Sequence, residues 1–212
     1  MAQPVVVTIT SQVGAGAEQV AASVAERLSV PLLDREILSR AAARAGVSEE
    51  TIEEAERVPS FLSRMVELLG RFPASPELEF PAPNVPAVPT MTVDAYRHLM
   101  EDVVRRVADG PGGAIVVGHA GQVMLRDVPG VLHIFIGAPA DRRVRWLAEH
   151  QRLDLPAAEK QLKEIGRQRA SFYQTYYKVN WTDHHLYDLM INMRQITPEL
   201  AADLIMETVR RT

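Results

Sequence analysis

The sequence predicts a three-layer α/β fold, a sheet of about five parallel strands covered by helices on both faces. Three observations carry that expectation. Short apolar runs rich in β-branched residues recur along the chain, helical patterns lie between them, and the first run passes through a glycine-bearing loop straight into a helix. The length of 212 residues suits one substantial domain, spanning 1–212, rather than two.

The first strand is expected at Val5–Ile9, followed by a helix over Glu18–Leu28 that sets Val20, Val24 and Leu28 on one stripe. Pro31–Leu33 is a weaker strand candidate. Residues Glu36–Val93 read as an inserted helical segment, and within it Phe72–Pro89 holds six prolines, which withdraw backbone donors and favour irregular, extended chain. Val93–Asp109 follows with Tyr96, Leu99, Val103 and Val107 on one face and Thr92 as N-cap. Strands are then expected at Ala114–Gly118, Val131–Gly137 and Asp188–Asn192. A helix over Leu162–Tyr176 precedes the last of these. The closing helix, Pro198–Arg211, has Thr197 as its cap and proline at its first position.

Composition narrows the chemistry. Without cysteine there is no disulfide framework, no thiolate zinc site and no cysteine nucleophile. The net charge of −4 argues against a global nucleic-acid footprint. No apolar run approaches the roughly 18–20 residues that cross a bilayer, and the N-terminal residues lack the pattern of a signal peptide. A cytoplasmic protein without membrane or nucleic-acid partners is therefore expected, with a homo-oligomer left open. Charge is nevertheless uneven. Residues 141–169 carry eight bases against five acids, which suits either a local anion partner or a solvated face paired as in Glu159–Lys163.

The loop Thr10–Gln19 is where a phosphate is expected. A strand running through small residues into a helix presents backbone N–H groups and a positive helix end, and Gly14 and Gly16 allow close approach. Against the phosphate-loop pattern G-x-x-x-x-G-K-S/T, Ser11 stands at the first glycine and Gly16 at the second. Ala17 replaces the lysine and Glu18 the hydroxyl residue. The dinucleotide pattern also fails, because its third glycine would be Gln19. On these residues alone, a phosphate cradle and a plain strand-to-helix turn capped by Glu18 both stand.

Several stretches in order resemble the cytidylate kinase-like family of P-loop kinases, relatives of the nucleoside monophosphate kinases. They are the Ile9–Gly16 loop, Val30–Leu38, Ile115–Ala120, Leu125–Asp127, His133–Pro139, Arg143-Val144, Arg167–Arg169 with Tyr173, Tyr176 and Tyr177, and Trp181–Asp183 with Leu186–Asn192. The resemblance implies a P-loop kinase-like fold with a helical acceptor-site insertion near 36–93 and a lid near 150–180. It implies that Gly14, Ala15, Gly16, Ala17 and Glu18 cradle donor phosphates, and that Asp34, Arg35 and His119 serve the acceptor. Arg143, Arg167 and Arg169 would close over the transferring group. It further implies ATP as donor, Mg²⁺ carried by the nucleotide, and a nucleoside monophosphate or related small phosphorylated acceptor. The relatives commonly read S-R-E/Q-x-G-S-G-G in the loop, Gly-Arg where this chain has Gly118-His119, and Asp where it has Gly166. Those replacements make a catalytically silent nucleotide-binding or scaffolding relative the alternative to an active phosphotransferase, and a domain with a non-nucleotide ligand the third reading.

Other residues read more plainly. His119 is expected at the cleft, with a core histidine as its alternative. Asp183-His184-His185 reads as a polar turn rather than a metal site. Phe172, Tyr173, Tyr176, Tyr177 and Trp181 suit core packing between lid helix and sheet better than base stacking. No Ser-His-Asp arrangement is readable.

Overall fold

The structure of the chain, a computed structural model, describes residues 5–33, 101, 104, 105 and 112–212. The expected insertion over 36–93, together with Asp34 and Arg35, lies outside the described residues, as does most of the helix expected at 93–109.

The strands are β1 (Val6–Ser11), β2 (Leu32–Leu33), β3 (Ala114–Val117), β4 (Val131–Gly137) and β5 (Leu189–Asn192). They form one parallel sheet in the order β2-β3-β1-β4-β5, with Val7 level with Ile115 on one side and Leu132 on the other. The helices are α1 (Ala17–Leu28), the short α2 (Gly121–Met124), α3 (Ala140–Gln151), α4 (Leu155–Tyr177) and α5 (Pro198–Arg211). No helix among the described residues is long and apolar enough to cross a membrane.

Side-chain alternation explains why the strands read as unbroken apolar runs. Val7, Ile9, Ile134, Ile136 and Ile191 face one way, onto Val20, Ala21 and Val24 of α1 and Ala201, Ala202 and Ile205 of α5. Val6, Val116 and Phe135 face the other, onto Leu125, Tyr173 and Trp181. Both faces are covered, so neither set of positions stays polar. The exceptions are Thr8, Thr10 and His133, buried on the α4 side, where Thr8 meets His133 and Thr10 meets Gln122.

Local chemistry fixes the helix ends. Thr197 accepts from the Leu200 N–H and Pro198 opens α5, as expected from sequence. Asp154 caps α4 by accepting from the Ala157 N–H at 2.7 Å, so the helix starts seven residues before the expected Leu162. The apolar stripe of Leu162, Ile165 and Tyr173 is unchanged by that extension; only the first two turns escape the sequence pattern, because their cap is a lone aspartate two residues before a proline.

Candidate functional site: the glycine loop and its arginines

The loop between β1 and α1 is stitched to its surroundings by main chain and one amide. The Gln12 N–H donates to the Ile136 carbonyl at 3.0 Å and the Ala15 N–H to the Gln12 carbonyl at 3.0 Å, closing a tight turn. The Gln12 side-chain oxygen accepts from the Ala138 N–H at 3.2 Å. Gly137 admits it, since a Cβ there would sit 3.1 Å from that oxygen. Gly14 and Gly16 have φ of +76° and +81°, the left-handed region the sequence anticipated for them. A Cβ on Gly14 would lie 3.1 Å from the Trp146 ring and 3.2 Å from the Arg143 backbone, so α3 packs directly on the loop.

Two of the three expected arginines meet here. Arg143, in the first turns of α3, donates from Nε to the Ala138 carbonyl at 3.0 Å, and burial holds its pKa below the usual guanidinium value. Arg169, from the middle of α4, donates to the Ser11 carbonyl at the end of β1 and lies 5.1 Å over the Trp181 ring. Burial also lowers its pKa, against the opposing pull of Tyr173, Tyr187 and Glu18. Both arginines line a cavity of about 730 Å³ between α3 and α4, walled by Gln12, Val13, Leu162 and Trp181. Arg167 is elsewhere. It projects from α4 with its side chain 75% exposed, paired to Glu164 at 2.7 Å.

The cationic stretch of 141–169 therefore resolves into two kinds of base. Arg145 with Asp141, Lys163 with Glu159 and Arg167 with Glu164 are intrahelical surface pairs, each worth little to stability. Arg143 and Arg169 instead hold main-chain carbonyls at the strand ends, with no hydrogen-bonded acid beside them among the described residues.

Ala17 and Glu18 occupy the first two positions of α1, behind Gly16. Its own main-chain N–H, Arg169 and His150 each pull the Glu18 carboxyl toward its ionised form. Burial outweighs these attractions and raises its pKa. Gly118 donates to the Ile9 carbonyl at 2.9 Å, and so His119 sits one strand from the loop, half-buried, in a left-handed turn with φ of +50°.

Sequence reasoning missed the polar centre beneath the cavity. Gln122 of α2 is fully buried and accepts from the Thr10 hydroxyl at 2.8 Å while its amide nitrogen donates to the hydroxyls of Tyr173 and Tyr187 at 3.2 and 3.3 Å. The Tyr187 hydroxyl donates to the Trp181 carbonyl. Nothing in Gly121-Gln122-Val123-Met124 distinguishes this glutamine from a solvated one. The threonines inside a strand otherwise made of valine and isoleucine were the one available signal. Tyr173 and Trp181 pack in the core on the α4 side, the packing expectation. Asp183 caps a short 3₁₀ turn by accepting from the His185 N–H at 3.0 Å, the polar turn expected there.

Fit to Mg²⁺ is poor at the loop itself. The position of the hydroxyl ligand carries Glu18, where burial disfavours the charged carboxylate. Fit to a phosphate is better, given two arginines and a turn of left-handed glycines.

Comparison with known proteins agrees with this architecture. Residues 6–195 match the sequence profile of the cytidylate kinase-like family. A uronate isomerase of Corynebacterium glutamicum is 32% identical over 115 residues, covering 54% of this chain and 22% of that protein. A cytidylate kinase of Natronomonas pharaonis is 29% identical over 66 residues, covering 31% of this chain and 34% of that one. The chain thus spans about a fifth and a third of the lengths of these curated relatives. Among solved structures, a protein from Eubacterium ventriosum superposes with a TM-score of 0.68 at 17% identity over 98% of this chain and 99% of that one. Shikimate kinase from Acinetobacter baumannii gives 0.53 at 12% identity over 98% and 94%. These structural likenesses concern the fold, which is that of the P-loop kinases. With its five-stranded parallel sheet, its glycine loop ahead of α1 and a family match over residues 6–195, the chain belongs to the cytidylate kinase-like family.

Proposed function

We propose that the protein is a nucleotide-binding phosphotransferase, passing a phosphoryl group from an ATP-type donor to a nucleoside monophosphate, cytidylate first, or a related small phosphorylated acceptor. The observation that carries this reading is the convergence of Arg143 and Arg169, from two different helices, on one cavity beside the glycine loop. Phosphoryl transfer asks a protein chiefly for positioning and charge, and guanidinium groups held by main-chain carbonyls supply both without moving. In this reading the amides of Gly14, Ala15, Gly16, Ala17 and Glu18 take the donor phosphates, although the Ala15 N–H is already engaged by the Gln12 carbonyl. Arg143 and Arg169 neutralise the transferring group, and Arg167 joins them only if α4 turns about its axis. His119, with Asp34 and Arg35, takes the acceptor. Mg²⁺ enters with the nucleotide, because the loop offers it neither lysine nor hydroxyl at the usual places.

One observation favours the second reading, a silent nucleotide-binding relative. Glu18 puts a negative charge at the helix end where phosphate charge would collect. A coupled assay with ATP, Mg²⁺ and a panel of nucleoside monophosphates, run beside thermal shifts with the same ligands, separates the two. Turnover that falls in Arg143→Ala and Arg169→Ala supports the phosphotransferase. Stabilisation without ADP release supports the silent relative. Neither turnover nor stabilisation ends both.

A further inference from the structure

We propose that the cavity between α3 and α4 is a two-part site for an organic phosphate ester. Arg143 and Arg169 receive its phosphate, and an apolar slot beside them, kept open by Gly166, receives a ring-sized apolar group on the same molecule. The inference rests on the reading of these arginines as phosphate ligands, and adds the ligand class and the residue that selects it.

Two helices and the glycine loop build the walls. Along α4, Leu155, Glu159, Leu162, Gly166 and Arg169 recur three or four residues apart, so they share one face, and all five line the cavity. Val144 of α3 and Val13 of the loop line it as well. Val13, Leu162 and Ile165 belong to one buried cluster with Val144 packed against it, so this wall is both apolar and fixed. Leu155 lines the same cavity and is 54% exposed, an apolar surface that a ligand would cover. The other charged side chains on the walls satisfy each other, Asp141 with Arg145 and Glu159 with Lys163 at 2.7 Å. At about 730 Å³ the cavity has the size of a small-molecule site and far exceeds a bare phosphate ion.

Gly166 is the position that neither the helix nor its packing explains. It lies inside the 23-residue α4, where glycine is a poorer choice than alanine. A Cβ built there meets no atom of the described residues within 4 Å, so no close approach demands glycine. What the missing side chain does is leave space, on the cavity wall and three residues before Arg169, about 4.5 Å along the helix. That is the separation between the phosphorus and the ring of an aryl phosphate. Covering apolar wall with an apolar ring adds affinity that a phosphate alone cannot collect.

Inorganic phosphate and phenyl phosphate are the probes, both chiefly dianions at about pH 8. Their dissociation constants are measured by calorimetry on the full chain for wild type, Gly166→Ala, Gly166→Leu and Arg169→Ala. Wild type is expected to bind phenyl phosphate at least about tenfold more tightly than inorganic phosphate. Gly166→Ala keeps most of that preference, because a methyl leaves the slot open. Gly166→Leu fills the slot and brings the ratio to within about twofold. Arg169→Ala weakens both ligands. Leucine favours helix over glycine, and urea unfolding checks that no loss in Gly166→Leu comes from a weakened α4. Equal affinity of wild type for the two probes overturns the inference, as does a preference that survives in Gly166→Leu or a failure of wild type to bind phenyl phosphate. A preference lost in Gly166→Leu, without ADP release from ATP and any nucleoside monophosphate, leaves the slot standing and removes the phosphotransferase reading. Turnover with a nucleoside monophosphate and no preference for phenyl phosphate does the reverse.

Discussion

Replacing Gly14 by alanine, beside the same change at Gly16, measures how tightly α3 is pressed onto the loop. Both glycines are left-handed, at φ of +76° and +81°, so each alanine is strained by about 1–2 kcal/mol, offset by a few tenths to about 1 kcal/mol through the stiffer unfolded chain. Their surroundings differ. At Gly16 the new methyl meets nothing within 4 Å. At Gly14 it arrives 3.1 Å from the Trp146 ring and 3.2 Å from both Cα and O of Arg143, and backbone cannot swing aside as a side-chain tip does. Helix α3 must retreat by a few tenths of an ångström, an overpacking cost of about 1–3 kcal/mol. Gly16→Ala is therefore expected to cost about 1 kcal/mol and Gly14→Ala about 2–4 kcal/mol. Urea unfolding of the three proteins gives both values directly, provided the m-values agree. Because the retreating helix carries Arg143, Gly14→Ala also weakens sulfate binding relative to Gly16→Ala. Equal losses of stability in the two variants, within about 0.5 kcal/mol, refute the packing of α3 on the loop.

Three further outcomes are expected. His133 is buried with its Nδ1 2.7 Å from the Thr8 hydroxyl, and burial lowers its pKa, with Asp188 opposing; the neutral ring's contribution to stability is thus complete above about pH 6.5 and is lost as pH falls below that value toward the folded-state pKa. Urea unfolding of wild type across that range should lose stability on acidification more steeply than His133→Leu, and parallel curves would refute the assignment. Gln122→Leu leaves the Thr10 hydroxyl without its acceptor and two tyrosine hydroxyls without their donor, a loss of about 2–4 kcal/mol in unfolding free energy; less than about 1 kcal/mol would mean water replaces the amide. In nucleotide or sulfate titrations, Arg169→Ala should weaken binding by about tenfold or more and exceed the effect of Arg167→Ala, whose charge is paired with Glu164 away from the cavity. The opposite ranking would place the working face of α4 on its other side.

The parts of this fold that a sequence displays are the parts governed by short-range rules. The runs at Val131–Gly137 and Ala114–Val117 announce buried strands because both faces demand apolar side chains. Thr197-Pro198 announces a helix start because capping is local. The glycines of the loop were legible for the same reason, since left-handed φ selects glycine wherever the rest of the chain lies. What the sequence hid depends on distance. Arg167 and Arg169 stand two residues apart on α4, so about 200° of helical turn separates them, and only packing against Trp181 and β1 decides which one enters the cavity. Gln122 joins Thr10, Tyr173 and Tyr187 from four segments, a meeting that no window of residues encodes.

The lost lysine of the loop and the buried arginine of α4 are two sides of one electrostatic arrangement. A phosphate cradle needs positive charge within a few ångströms, but nothing requires that it come from the loop's own helix. Here Ala17 withdraws it from α1, while Arg169 brings it to the end of β1 on a different helix, fixed by the Ser11 carbonyl and the Trp181 face. A guanidinium in that setting needs a counter-charge, since desolvation already lowers its pKa. The charge of Glu18 favours the protonated guanidinium only after Tyr173 and Tyr187, and an anionic ligand from solution would favour it too. The double variant Arg169→Ala/Glu18→Gln is expected to recover part of the stability that Arg169→Ala loses, because the second change removes the carboxylate stranded by the first. Strictly additive losses in the two single variants and the double would mean that the two charges do not sense each other.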